Sequence, residues 1–154
     1  MKNVYDLMSN SCLWCTLLAW FLAQALKIPT HALTERKWDL KYFLSPGGMP
    51  SSHTAGVVAL TIMVGAIEGC GSAFFAICVT FGAIVMYDAA GVRRETGRQG
   101  AAINEILRKV MIDGNPISDD ELKEIVGHSP FEVAMGALTG VIVAAGWLLL
   151  VGTH

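Results

Sequence analysis

Charge is absent from four long runs of this chain, and those gaps constrain its fold more than any motif does. Leu7–Leu26 (20 residues), the 26 residues between Lys41 and Glu68, Gly69–Tyr87 (19) and Val133–His154 (22) contain no Asp, Glu, Lys or Arg. The hydrocarbon core of a bilayer is about 30 Å thick and takes about 20 apolar residues as helix. The first, third and fourth runs fit that length. The second holds Ser45-Pro46-Gly47-Gly48-Met49-Pro50, which does not continue a helix. Its helical part is expected from about Ser51 to Ile67, roughly 25 Å long. The expected fold is all-α: a polytopic membrane protein with about four transmembrane helices, near 7–27, 51–67, 70–90 and 131–151. The 154 residues form a single transmembrane domain with basic loops at 28–50 and 91–129. Composition agrees, with 53% hydrophobic and 16% charged residues, against about 25% charged in a soluble domain. A net charge of −2 argues against a nucleic-acid partner, and four cysteines are too few for a disulfide scaffold. The first run, with Lys2 before it and Ala23-Gln24-Ala25 near its end, also has features of a signal peptide. The bulk of Trp14, Trp20 and Phe21 favours a retained span.

The cations are distributed unevenly. Of eleven Lys and Arg, four (Lys27, Arg36, Lys37, Lys41) lie between the first two spans, and six (Arg93, Arg94, Arg98, Arg108, Lys109, Lys123) between the last two. Four spans put both basic loops on one side. The positive-inside rule makes that side cytoplasmic in a multi-pass cell-membrane protein. The second basic loop carries an amphipathic stripe, Ile103, Ile106, Leu107, Val110 and Met111, expected as a helix lying on the membrane interface or against the bundle. Asp113-Gly114-Asn115-Pro116 breaks it. Ser118 to Glu121 reads as a capping box opening a short acidic helix that Gly127 ends.

The basic side also receives the N-termini of spans two and four, and each start carries a histidine, His53 in Pro50-Ser51-Ser52-His53 and His128 in Gly127-His128-Ser129-Pro130. Helix N-termini present unpaired N–H groups and a partial positive charge, so they attract anions. Imidazoles serve as nucleophiles and as proton donors near neutral pH. Two histidines, two helix starts and a set of cations at one surface describe a phosphate pocket.

Pro50-Ser51-Ser52-His53 resembles the P-S-G-H motif of the type 2 phosphatidic acid phosphatase superfamily, which includes the vanadium-dependent haloperoxidases. Gly127-His128-Ser129-Pro130-Phe131-Glu132-Val133, running on to Gly136 and Gly140, resembles its last motif, with Glu132 in place of Asp. With Gly-Gly-Met-Pro-Ser-Ser-His-Thr and Tyr87-Asp88-Ala89-Ala90-Gly91-Val92-Arg93-Arg94, nearly the whole chain is similar to a divergent branch of small membrane proteins related to acid phosphatase. The resemblance implies an integral membrane phosphatase for lipid phosphates or diphosphates, acting through a phosphohistidine. His128 would attack phosphorus, Glu132 would hold its imidazole, and His53 would protonate the leaving group. Ser51, Ser52, Arg93, Arg94 and Lys41 would bind phosphate, with Asp88, Arg98, Lys37 and Lys27 as further candidates. No metal or cofactor is implied; the partner is a membrane lipid, a phospholipid or isoprenoid phosphate. The superfamily's Lys followed seven residues later by Arg-Pro has no counterpart, and Glu121-Leu122 stand where its Ser-Arg pair would fall. The alternative is a pocket that binds or transports an anionic lipid headgroup without cleaving it.

Plainer roles stand beside these. Ser129, Pro130 and Glu132 by themselves make a helix start, so Glu132 is also read as a cap. Arg93, Arg94 and Arg98 are also interfacial anchors, and Asp88 a partner for Arg93 or Lys27. Gln24 and Lys27 read as a polar helix end. Cys12 and Cys15 are expected as buried thiols. Gly136 and Gly140 suit close helix contact, within one bundle or across a homodimer.

Overall fold

The computed structural model describes residues 2–36, 38–45, 47–109, 111–112, 115–116 and 127–153, with the backbone alone for residues 2, 3, 41, 93, 94, 107–109, 111, 112, 115 and 116. It is helical almost throughout: α1 (Lys2–Met8), α2 (Ser11–Glu35), a 3-10 turn (Leu40–Leu44), α3 (Ser52–Glu68), α4 (Ala73–Ala90), α5 (Val92–Lys109) and α6 (Pro130–Leu150). A two-residue antiparallel pairing of Met111–Ile112 with Asn115–Pro116 sits where a break is expected. Three helical segments, Ser11–Glu35, Ala73–Ile106 and Pro130–Leu150, are long and apolar enough to cross a membrane; Ser52–Glu68 is a shorter apolar helix.

The helices pack through small residues. Cys15, Ala19 and Ala23 on α2, Ala55, Ala59 and Met63 on α3, and Ala144 on α6 form the buried core. Each set repeats every four residues, so it makes one stripe along one helix face. In lipid, apolar surface gains little by leaving hydrocarbon for a protein interior, and association depends on close van der Waals fit. Large side chains such as Phe74, Ile77, Phe81 and Ile84 on α4, and Leu138, Val141 and Ile142 on α6, accordingly face outward.

α3 is central, in contact with α2, α4 and α6. A Cβ on Gly136 would collide with the Ser51 carbonyl, and one on Gly140 would lie 2.5 Å from the Ala55 carbonyl. The two contacts advance together along both chains, so α3 and α6 run parallel. Gly82 meets Val57 and Thr61, and Gly65 meets Phe75, which makes α4 antiparallel to α3. The starts of α3 and α6, the end of α4 and the C-terminal half of α2 therefore share one end of the bundle.

Two helix limits differ from the sequence expectation. The first long helix starts at Ser11, because the Asn10 side chain caps it by accepting from Leu13 N–H at 3.0 Å. It then runs through Pro29 to Glu35. Proline lacks the N–H that would bond the Ala25 carbonyl, yet the helix continues through it. Arg36, at φ 55°, ends the helix in the left-handed region. The first third of the expected basic loop, residues 28–35, is thus helix, with consequences for the site. α5 follows α4 after Gly91 alone and carries the expected stripe as helix as far as Lys109, with Ile103 and Ile106 exposed; Val110 lies outside the described residues and Met111 is in the short strand pairing. The Ser118–Glu121 capping box lies outside the described residues.

The glycine contacts yield a test. Gly140→Val should force α6 away from α3 and lower thermal stability in detergent by about 1–3 kcal/mol. Gly146→Ala, where a Cβ meets nothing within 4 Å, should leave the melting temperature unchanged or slightly raised.

Candidate functional site

Two helix starts are fastened to each other here. The Ser51 N–H donates to the Glu132 carbonyl at 3.1 Å. Ser51 is also the N-cap of α3, its hydroxyl accepting from the Thr54 hydroxyl at 3.0 Å. The Ser51 N–H and hydroxyl oxygen thus take part in holding the two helix starts together. Ser52, the first residue of α3, is 1% exposed, and its hydroxyl has no hydrogen-bond partner among the described residues. Its backbone N–H belongs to the first helical turn, which has no intrahelical acceptors. A buried hydroxyl at a helix start, without a protein partner, suits an anionic ligand. His53, next along, is exposed.

At the start of α6, Ser129 and Glu132 form a reciprocal capping box. The Glu132 N–H donates to the Ser129 hydroxyl (3.3 Å), and the Ser129 N–H donates to Glu132 Oε2 (2.8 Å). The same Oε2 lies 3.3 Å from His128 Nδ1. Glu132 is therefore a helix cap and an imidazole partner at once. His128 is 3% exposed, and its N–H donates to the Ala89 carbonyl at 3.1 Å, at the end of α4. Asp88, half-buried, immediately precedes that acceptor.

Lys27 is the most deeply buried cation among the described residues, 1% exposed, with Nζ donating to the Ser45 carbonyl at 2.8 Å. It continues the Cys15, Ala19, Ala23 stripe by one more step of four, a register visible in the sequence but masked there by the reading of a polar helix end. Beyond it Thr30, His31, Thr34 and Glu35 carry the same face onward as a polar stripe. That stripe, with Tyr42, Gly48, Met49 and the α6 start, encloses a cavity of about 280 Å³ lined also by Ser129, Phe131 and Glu132. Gly48 has φ +90° and sits over the Lys27 stem, a backbone state that suits glycine. The Thr30 hydroxyl ties the wall to the loop by donating to the Met49 carbonyl at 2.5 Å. His31 stacks on Tyr42 with ring centroids 3.4 Å apart. Sequence reasoning passed over Thr30, His31, Glu35 and Tyr42, because their segment was read as loop.

Of the expected site residues, His128, Glu132, Ser51, Ser52, His53, Asp88 and Lys27 come to this one end. Arg98 does not join them. Its guanidinium lies 3.5 Å from Glu95 on a solvent-exposed face, as a local pair three residues apart. Lys37 lies outside the described residues, as do the side chains of Lys41, Arg93 and Arg94.

With this geometry in view, relatives are informative. A family model described as the Divergent PAP2 family matches residues 8–143. The chain belongs to that family. It is also 38% identical over 151 residues to the membrane protein YuiD of Bacillus subtilis (strain 168), covering 89% of this chain and 93% of the relative. No solved structure matches. This divergent PAP2 chain is thus a PAP2-like membrane protein, and both histidine motifs fall inside the matched residues.

The dual contact of Glu132 can be separated by substitution. Glu132→Gln keeps a capping-box partner, so its thermal unfolding in detergent should stay within about 0.5 kcal/mol of the parent. Ser129→Ala removes the cap hydroxyl and should cost about 1 kcal/mol. A larger loss for Glu132→Gln than for Ser129→Ala would mean that the charged contact with His128 dominates this helix start.

Proposed function

We propose that this divergent PAP2 protein hydrolyses a lipid phosphate or diphosphate at the bundle end where α3 and α6 begin, through a phosphohistidine on His128. The observation that carries the reading is the His128–Glu132 pair, 3.3 Å apart, with the ring buried at the α6 start. When Nδ1 carries the proton and donates it to Glu132, the lone pair is on Nε2, the nitrogen suited to attack phosphorus. A bond from Nε2 to phosphorus forms as the bond from phosphorus to the lipid oxygen breaks, and His53 gives that oxygen a proton. Water then attacks the phosphohistidine, returns a proton to His53 and releases inorganic phosphate. Ser52, the α3 N–H groups and Lys27 would stabilise the phosphate oxygens, with Arg93, Arg94 and Lys41 supplying further positive charge. Fixed donors aimed at developing charge are the usual largest contribution to such a reaction. Ten of the eleven cations lie in the two sequence segments 27–41 and 93–123, between spans one and two and spans three and four, which supports a cytoplasmic-facing site in the cell membrane.

A second reading, retention of an anionic headgroup without cleavage, is favoured by the missing Lys/Arg-Pro motif and by Glu121-Leu122 in place of Ser-Arg.

Purified protein in detergent should release phosphate from a lipid phosphate, and orthovanadate should inhibit it by imitating the trigonal-bipyramidal transition state. His128→Ala should abolish release, and His53→Ala should slow it by about 10²–10⁴-fold. Release that survives His128→Ala would exclude the phosphohistidine. A phospholipid co-purifying without turnover, seen by native mass spectrometry, would favour the second reading.

A further inference from the structure

The cavity beside Glu132 is larger than one phosphate needs, and its charges do not suit a purely anionic occupant. Among the described residues Lys27 is the one Lys or Arg in its lining, whereas Glu35 and Glu132 both line it. Glu132 is engaged by His128 and the cap. Glu35 is exposed at the far end of the stripe and makes no hydrogen bond or ion pair among the described residues. The stacked His31–Tyr42 pair forms the wall between. Positive charge is therefore offered at one end and negative charge at the other, with aromatic surface alongside.

We propose that this cavity binds a zwitterionic phospholipid headgroup, its phosphate toward Lys27 and its ammonium toward Glu35 and the Tyr42 ring. A carboxylate gives an ammonium a charge-assisted hydrogen bond, and an aromatic face adds cation–π attraction. Phe131 and Met49, also in the lining, give the glycerol backbone and first methylenes an apolar path. The assignment rests on Lys27 as a phosphate ligand, as in the proposed function, but not on hydrolysis, since an intact phosphodiester binds without a nucleophile.

The test is calorimetric titration of the full-length protein in detergent with dihexanoyl phosphatidylethanolamine, dihexanoyl phosphatidylglycerol and inorganic phosphate. The ethanolamine lipid should bind roughly tenfold tighter than the glycerol lipid, as one charged hydrogen bond would give. Glu35→Gln should erase that preference; Glu35 is exposed at a helix end, so its replacement leaves the core intact, which an unchanged melting temperature verifies. Equal or tighter binding of the glycerol lipid, a preference that survives Glu35→Gln, or inorganic phosphate binding as tightly as either lipid would overturn the proposal. Phosphate release from a lipid monophosphate, assayed on the same preparation, decides the hydrolase reading separately from these affinities.

Discussion

The close parallel contact of α3 with α6 is the constraint on which the rest depends. Two glycines four residues apart, Gly136 and Gly140, let the α6 backbone approach the Ser51 and Ala55 carbonyls. Parallel helices bring like ends together. Here the like ends are N-termini, and the Ser51–Glu132 hydrogen bond locks their relative height. Two positive dipole ends side by side are unfavourable on their own, and a carboxylate at the α6 start relieves part of that cost. An anion between them would relieve more. The glycine face that could have served a homodimer is occupied within the bundle.

A second consequence concerns burial. A helical bundle in lipid has no need of a greasy interior, so its centre is built from alanine, cysteine and glycine, and its outer surface from leucine, isoleucine and phenylalanine. Polar groups inside such a bundle are costly unless they have partners or ligands. At the site end they are numerous: Lys27, Ser51, Ser52, Thr54 and His128 are all buried there. Lys27 donates to the Ser45 carbonyl and His128 Nδ1 lies beside Glu132, while the Ser52 hydroxyl has no partner among the described residues. That imbalance sits in the turn whose sequence resembles a phosphate motif.

Much of this was legible beforehand, for physical reasons that differ by element. The apolar runs read clearly because span length is set by bilayer thickness, independent of partners. The capping box at Ser129–Glu132 read clearly because it is local, with every atom supplied within four residues. α2 was misjudged beyond Lys27 because the span was closed where the uncharged run ends, whereas the helix continues through Pro29 as a polar segment in contact with the 3-10 turn. With the helix went its polar face, so His31, Glu35 and the cavity they line were missed. Arg98 was judged a candidate by its sign and its neighbourhood in sequence, but the course of α5 turns it toward Glu95.

The amino-acid order by itself determined which segments are apolar helices, where α3 and α6 start, and which family motifs those starts carry, since each of these depends on residues within a turn or a span length of one another. Only the tertiary structure decided that α3 and α6 touch at their N-termini and that Lys27 is buried beside them. Those outcomes require residues about 80 to 100 positions apart to meet, and such meetings are set by how closely glycine backbones can approach, which no local pattern encodes.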